Sequence, residues 1–363
     1  MASLPRSVPK PPHASRSTVS RTASGVPTAV SETAPSVPTT STTTPPAPRY
    51  RLPADKLLLY ADRGLVIVNK PNGLISQLSD PQNKETEPTV DAQIFSTFLE
   101  ELRDKLGLNE PLRTLHRLDK PTTGALAFAC NRQIARDFWN QMSGKLVKKT
   151  YLALVVGDAP TFVKKHGVIE TKLECRNGWV RIPGVKDVYE RDRNLLPSSR
   201  RRGEHWVRDA VTEYEVLATS PKVPLSLLRL HLHTGLKHQL RAHLAQALRA
   251  PILGDALYLD PRLPQLRTIK AAIDLPRSMF LHSSRLSLNR YCPSRVTLTV
   301  GAPLSASFVS VCEQAGIPLD RDDLLGGVWL DGTKALGLDA APDGDAALGL
   351  ERLGGKWYWR KRL

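Results

Sequence analysis

Short apolar runs closed by turn residues recur through residues 65–301, and the helical stretches between them follow no regular order. In KLLLYADRGLVIVNKPNGLIS, Leu65 to Val68 form such a run and Lys-Pro-Asn-Gly ends it. KKTYLALVVGD, DAVTEYEVLATS, LSLLRLHLHTG, SMFLHSSRLSL and SRVTLTVGAPL read as strands, and TLHRLDKPTTGALAFACN as two extended pieces around a turn. Three stretches carry helical spacing. TVDAQIFSTFLEELRDKLG sets Ile94, Phe98, Leu102 and Leu106 in one stripe closed by Gly107, RQIARDFWNQMSGK is a second helix, and KHQLRAHLAQALRA aligns Leu240, Leu244 and Leu248. Many strands with few helices and no strand–helix alternation predict an α+β fold built on a mixed sheet. No internal repeat is present, which excludes a solenoid.

Both ends differ from this pattern. Residues 1–50 contain 10 prolines and 18 serines or threonines, with five Lys/Arg and one acid, Glu32. That many prolines forbid a continuous helix, and few large apolar side chains are present to offset the entropy of ordering. Residues 1–52 are therefore expected to be disordered, and their Arg, Ser and near absence of acids suit a mitochondrial targeting segment; cytoplasm or nucleus is the alternative location. Residues 53–310 are expected to form the main folded domain, with 160–208 as an insertion or irregular basic loop holding Arg191, Arg193, Arg200, Arg201 and Arg202. Residues 311–363 read as a C-terminal extension, opening on Asp320, Asp322 and Asp323 and closing on KWYWRKRL. That tail has the composition of a single-strand contact, or of a segment that docks Trp357 and Trp359 on the domain.

The formal net charge is +16, and subtracting the +4 of residues 1–50 leaves +12 on the remainder. Such an excess points to a polyanionic partner, most simply nucleic acid or an anionic membrane surface. No apolar run is long enough to span a bilayer, so no membrane association is expected. The four cysteines are scattered without a CxxC pair and read as reduced core thiols.

LHLHTGLKHQLRAHLA, residues 230–245, holds four of the nine histidines. His231 and His233 share a strand face, but His238 and His243 are five apart, and helical ligands need a spacing of three or four. No cysteine completes a set, so no metal is expected. Arg241, three residues after His238 on its face, is the better functional candidate. In HRLDKPTTG, Pro121 biases Lys120 toward extended geometry, which places Asp119 in a turn. The tetrapeptide alone leaves two readings open: a carboxylate aimed into a cleft, or one hydrogen-bonded to its own turn.

LHRLDKPTTG, KKTYLALVVG and TGLKHQLRAHLAQALRAPILGDALY, in that order, resemble the three signature segments of the RluA-type pseudouridine synthases. ADRGLVIVNKPNGL and MFLHSSRLSL resemble that family's flanking strands, so the likeness spans about residues 58 to 305. The resemblance implies a bent, mainly antiparallel sheet with an RNA cleft across one face, and an enzyme that isomerises uridine to pseudouridine without a cofactor. It makes Asp119 the catalytic aspartate, Tyr151 the aromatic that stacks on the target base and assists deprotonation, and Arg241 the cation paired with Asp119. Arg117, His116, Lys149, Lys237 and His238 are the expected RNA-contacting residues near the cleft, while His231 and His233 face RNA or solvent. Mitochondrial large-subunit rRNA is the expected substrate, ahead of tRNA, and a monomer the expected state. With little chain before the first strand, selectivity is expected from the cleft, 160–208 and the tail rather than from an S4 domain. One departure stands out: Leu236 occupies a place where the family usually has arginine. The competing expectation is an inactive RNA-binding or ribosome-assembly protein on the same scaffold.

Overall fold

The structure, a computed structural model, describes residues 52–78, 89–185, 205–291, 294–336 and 350–358. Residues 1–51, with most of the expected targeting segment, and 186–204, with the arginine cluster, lie outside them. The strands are β1 (Leu58–Ala61), β2 (Leu65–Lys70), β3 (Arg113–Thr114), β4 (Thr123–Ala129), β5 (Lys148–Val156), β6 (His166–Arg176), β7 (Trp179–Arg181), β8 (His205–Thr219), β9 (Leu225–Leu232), β10 (Leu281–Tyr291), β11 (Arg295–Gly301), β12 (Gly327–Leu330), β13 (Thr333–Leu336) and β14 (Lys356–Trp357). They form one sheet in the order β14-β1-β2-β4-β10-β5-β9-β8-β6-β7, with β11, β12 and β13 branching from β10 and β3 pairing with β4. The β4–β10 pair is parallel and the other described pairs are antiparallel. This is the mixed, mainly antiparallel α+β sheet that the sequence predicts.

The central strands read as unbroken apolar runs because both their faces are covered. On β4, Leu126 and Phe128 enter one core cluster while Ala125, Ala127 and Ala129 enter another. On β5, Tyr151, Ala153 and Val155 face the first cluster and Leu152, Leu154 and Val156 a third. Helix Val90–Lys105, capped by Thr89, brings Phe95, Phe98 and Leu102 to the first cluster. Helix Arg132–Ser143, capped by Asn131, is anchored through buried Phe138 and Gln141. Gln141 exchanges two hydrogen bonds with the Asn289 backbone, at 2.9 and 2.7 Å.

Two expectations about organisation need correction. The stretch 160–208 is not an irregular insertion in its described part: β6, β7 and the start of β8 form an antiparallel arm. Its one-sided burial hides the strand signal, because Ile169, Leu173 and Cys175 are buried while Glu170, Lys172 and Arg176 are exposed. The boundary at 310/311 falls inside helix Ala306–Ala315. Beyond it, β12 pairs with β11, and β14 pairs with β1. Trp357 packs against the second core cluster, so this part of the tail completes the sheet. Trp359 lies outside the described residues. Asp323 of the acidic patch is also buried, 3.6 Å from Arg229 and 3.4 Å from Arg285.

Candidate active site

Asp119 lies in the loop between β3 and β4, and neighbouring elements fix the backbone on both sides of it. Thr122 N donates to Asp119 O at 3.0 Å, closing the turn that Lys120-Pro121 implies. The fully buried Lys70 donates through Nζ to the carbonyls of Pro71, Leu74 and Lys120 at 3.0, 2.6 and 3.0 Å. Three acceptors match the three N–H groups of an ammonium, although burial pulls the Lys70 pKa down to about 7. Ser76 Oγ donates to Leu118 O at 2.7 Å and accepts from Leu118 N at 3.1 Å. His116 Nε2 accepts from Ala127 N at 3.1 Å, and the ring stacks on Phe138. Burial holds His116 neutral, with a pKa near 3, so its ring braces the loop from inside.

The Asp119 carboxylate leaves its own turn. Its Oδ2 accepts from Arg241 Nη1 at 3.1 Å, across 122 residues of sequence. Arg241, 4% exposed, lies on the short helix Gln239–Ala242, which continues as a π-turn over His243–Ala247. Its other donors are bidentate: Nε and Nη2 reach Asp255 Oδ2 and Oδ1 at 2.7 and 2.6 Å. Asp255 Oδ1 also accepts from Leu257 N and Tyr258 N, which fixes its orientation. The Tyr258 ring lies 5.2 Å from the guanidinium carbon, and its hydroxyl donates to Val180 O at 2.8 Å. Just before Asp255, Gly254 lets the chain pass close to Ser278: at φ +77°, a Cβ there would meet Ser278 O at 1.8 Å.

Burial acts to raise the Asp119 carboxyl, but His238, Arg241 and Arg117 outweigh it and hold the pKa below the ordinary carboxylate range. His238 Nε2 lies 3.8 Å from Asp119 Oδ2, and Nδ1 lies 3.3 Å from the Tyr258 hydroxyl. Burial holds His238 itself near pKa 4, so at neutral pH the guanidinium of Arg241 is the charge that keeps Asp119 ionised.

These groups border a cavity of about 310 Å3, within the range of small-ligand pockets. Asp119, Tyr151, His116, Arg117, Lys149 and Lys237 line it, with Leu232, Leu236 and Leu240 as an apolar wall. Arg241 and His238 stand behind Asp119. Tyr151 is buried on β5 and hydrogen-bonded to Ser283, and desolvation raises its hydroxyl well above the ordinary phenol range. Leu236 packs against the cluster of Leu173, Cys175 and Val180 on the arm as well as facing the cavity. Pairing of Tyr151 with Leu230, and of Thr150 with His231, puts His231 and His233 on the sheet face away from the cavity. There they meet Thr150 at 3.3 Å and Glu213 at 3.2 Å, so they face away from the cavity. His243 is buried between Thr212 and Thr171, at 3.0 and 3.1 Å. Sequence reasoning assigned no role to Asp255, Lys70 or Tyr258. GDALY gives the signal of a turn-capping Asp, which Asp255 also is, so spacing alone conceals the second use.

One cavity is thus lined by a carboxylate ion-paired to a buried arginine, by a tyrosine, and by the basic side chains of Arg117, Lys149 and Lys237. Residues 64–246 match the family described as RNA pseudouridylate synthase. The chain is 33% identical over 238 residues to tRNA pseudouridine synthase C of Pasteurella multocida, covering 63% of this chain and 84% of that one. It is 32% identical over 231 residues to the dual-specificity RNA pseudouridine synthase RluA of Haemophilus influenzae, covering 64% and 85%. It is 30% identical over 276 residues to the mitochondrial pseudouridylate synthase RPUSD4 of Xenopus tropicalis, covering 71% and 79%. Among solved structures, human RNA pseudouridylate synthase domain containing 4 superposes with a TM-score of 0.53 at 25% identity, over 73% of this chain and 95% of that one. The chain belongs to the RluA-type family of RNA pseudouridine synthases, isomerases that act on RNA.

Proposed function

We propose that the protein isomerises a uridine of mitochondrial large-subunit rRNA to pseudouridine, with Asp119 as the nucleophile. The observation that carries this reading is the placement of Asp119: its carboxylate lines the cavity while Arg241, 3.1 Å away, keeps it ionised. The reaction breaks the N1–C1′ bond, turns the base, joins C5 to C1′ and passes the C5 proton to N1 through solvent. It is a net isomerisation and consumes no co-reactant. The target base must leave its stack, at a cost of a few kcal/mol, and Tyr151 offers a ring on which it is held. Being a phenol with a raised pKa, Tyr151 is suited to stacking rather than to proton abstraction at neutral pH. Arg117, Lys149 and Lys237 supply positive charge for the flanking phosphates.

The mitochondrial part of the proposal draws on the composition of residues 1–52 and on the likeness to the Xenopus protein. An organellar location favours large-subunit rRNA, and monomeric protein is sufficient, since the cavity is built by one chain. The test incubates the full chain with labelled mitochondrial rRNA and tRNA transcripts and maps pseudouridine at each position. One modified rRNA position is the expected result. Modification confined to tRNA would replace the substrate assignment, and binding without modification would favour the inactive scaffold that Leu236 raises. A reporter fused after residue 52 should enter mitochondria, and a cytosolic reporter would remove the location.

The acid limb of the rate profile gives a separate check. Because the folded Asp119 pKa is depressed, the carboxylate persists as pH falls and is lost only below the ordinary range. Single-turnover rates are therefore expected to stay flat down to about pH 5. A decline centred near pH 6 would contradict an Asp119 held ionised by Arg241.

A further inference from the structure

Helix Arg132–Ser143 places an indole at the cavity that the proposed chemistry does not use. Trp139 is 55% exposed, while its neighbours Phe138 and Gln141 are buried and tie the helix to the loop below and to β10. Trp139 and Met142, one helical turn apart, both line the cavity that holds Asp119. Arg117, itself exposed, lines the same cavity. A single exposed apolar side chain needs no explanation by itself. This one is a flat ring on a docked helix, and it lines the same cavity as an exposed guanidinium and Asp119. An aromatic platform with cations alongside is the chemistry that holds an unpaired base.

We infer that Trp139 stacks on a nucleotide next to the target uridine and so selects RNA in which that neighbour is unpaired. The inference rests on the proposed function, because it needs the uridine to enter the cavity. A base flipped toward Asp119 and Tyr151 drags its backbone to the rim, where the adjacent base loses a stacking partner. Trp139 replaces that partner without reading base identity, so it sorts substrates by local structure rather than by sequence. It is a binding residue, and no proton or bond changes at it.

The experiment measures binding of a short single-stranded RNA, one uridine flanked by adenosines, to the full chain and to Trp139→Ala and Trp139→Tyr. Trp139→Ala is expected to weaken binding roughly 5- to 100-fold, and Trp139→Tyr to restore most of it. Replacing one flanking adenosine with an abasic ribose should weaken the parent by a similar factor and Trp139→Ala hardly further, since both remove the same contact. Under saturating RNA the rate of modification should stay near the parent's, which separates lost binding from lost chemistry. Unchanged thermal unfolding is expected from so exposed a position. Binding of Trp139→Ala within about twofold of the parent, or losses that simply multiply, would overturn the stacking inference while an active parent leaves the proposed function standing. A parent that neither binds this RNA nor modifies the transcripts would overturn both.

Discussion

Asp119→Asn is expected to lower single-turnover pseudouridine formation by at least about 10⁴-fold, on the scale of other nucleophile removals. The substitution preserves shape, and the amide oxygen can still accept from Arg241 Nη1. Arg241 is not orphaned, because Asp255 keeps both of its hydrogen bonds, so the buried cation retains a full partner. The fold should therefore persist, with a thermal midpoint close to the parent's. Affinity for RNA should be retained as well, since the change removes a negative charge from a site that receives a polyanion. The depressed pKa of Asp119 means its ionised form adds stability above the unfolded carboxylate pKa, stability that disappears as pH falls through the folded value. A small loss of stability at neutral pH, absent in acid, is the corresponding signature in denaturant titrations. A variant that keeps its rate within about tenfold of the parent would show that the carboxylate is not the attacking group.

The elements that reach Asp119 were legible in the sequence to different degrees, and burial explains the difference. Strands covered on both faces, such as β4 and β5, stand out as apolar runs, and the turn at Lys120-Pro121 is written in the proline. The arm of β6 and β7 is less legible, because exposed Glu170, Lys172 and Arg176 on its outer face alternate with the buried residues and leave no continuous apolar run. The strands after residue 311 read as an extension in the sequence, because an acidic patch precedes them. Asp323 in that patch is in fact buried beside Arg229 and Arg285, a compensation that depends on residues about forty and ninety positions away. The Asp119–Arg241 pair became legible through the family resemblance, not through spacing, since no local rule joins residues 122 apart. Lys70 shows the same limit. Its position in a Lys-Pro-Asn-Gly turn suggests an exposed cation, whereas the loop folds three carbonyls around it.

Asp255→Ala is expected to cost about 3–5 kcal/mol of stability and most of the activity, by a different route. In the parent, one guanidinium serves two carboxylates, and its two shortest hydrogen bonds go to Asp255 rather than to Asp119. Asp255 thus fixes where Arg241 sits, and Arg241 in turn fixes Asp119. Removing the second carboxylate leaves a 4% exposed cation with one longer contact and also releases the amides of Leu257 and Tyr258. The guanidinium can then follow Asp119 more closely, or turn away toward water; either shifts the carboxylate from the position its loop has prepared. A displacement of that kind costs on the order of 10²-fold in rate. Asp255→Asn separates the two functions, because its side-chain oxygen still accepts from Leu257 N and Tyr258 N while its amide group opposes the guanidinium. The turn should survive, the rate should still fall, and the flat acid limb should shorten as Asp119 loses a fixed positive partner. Equal rates and unchanged pH profiles for Asp255→Asn and the parent would mean that the loop around Lys70 and Ser76 alone positions Asp119, with Asp255 reduced to a turn residue.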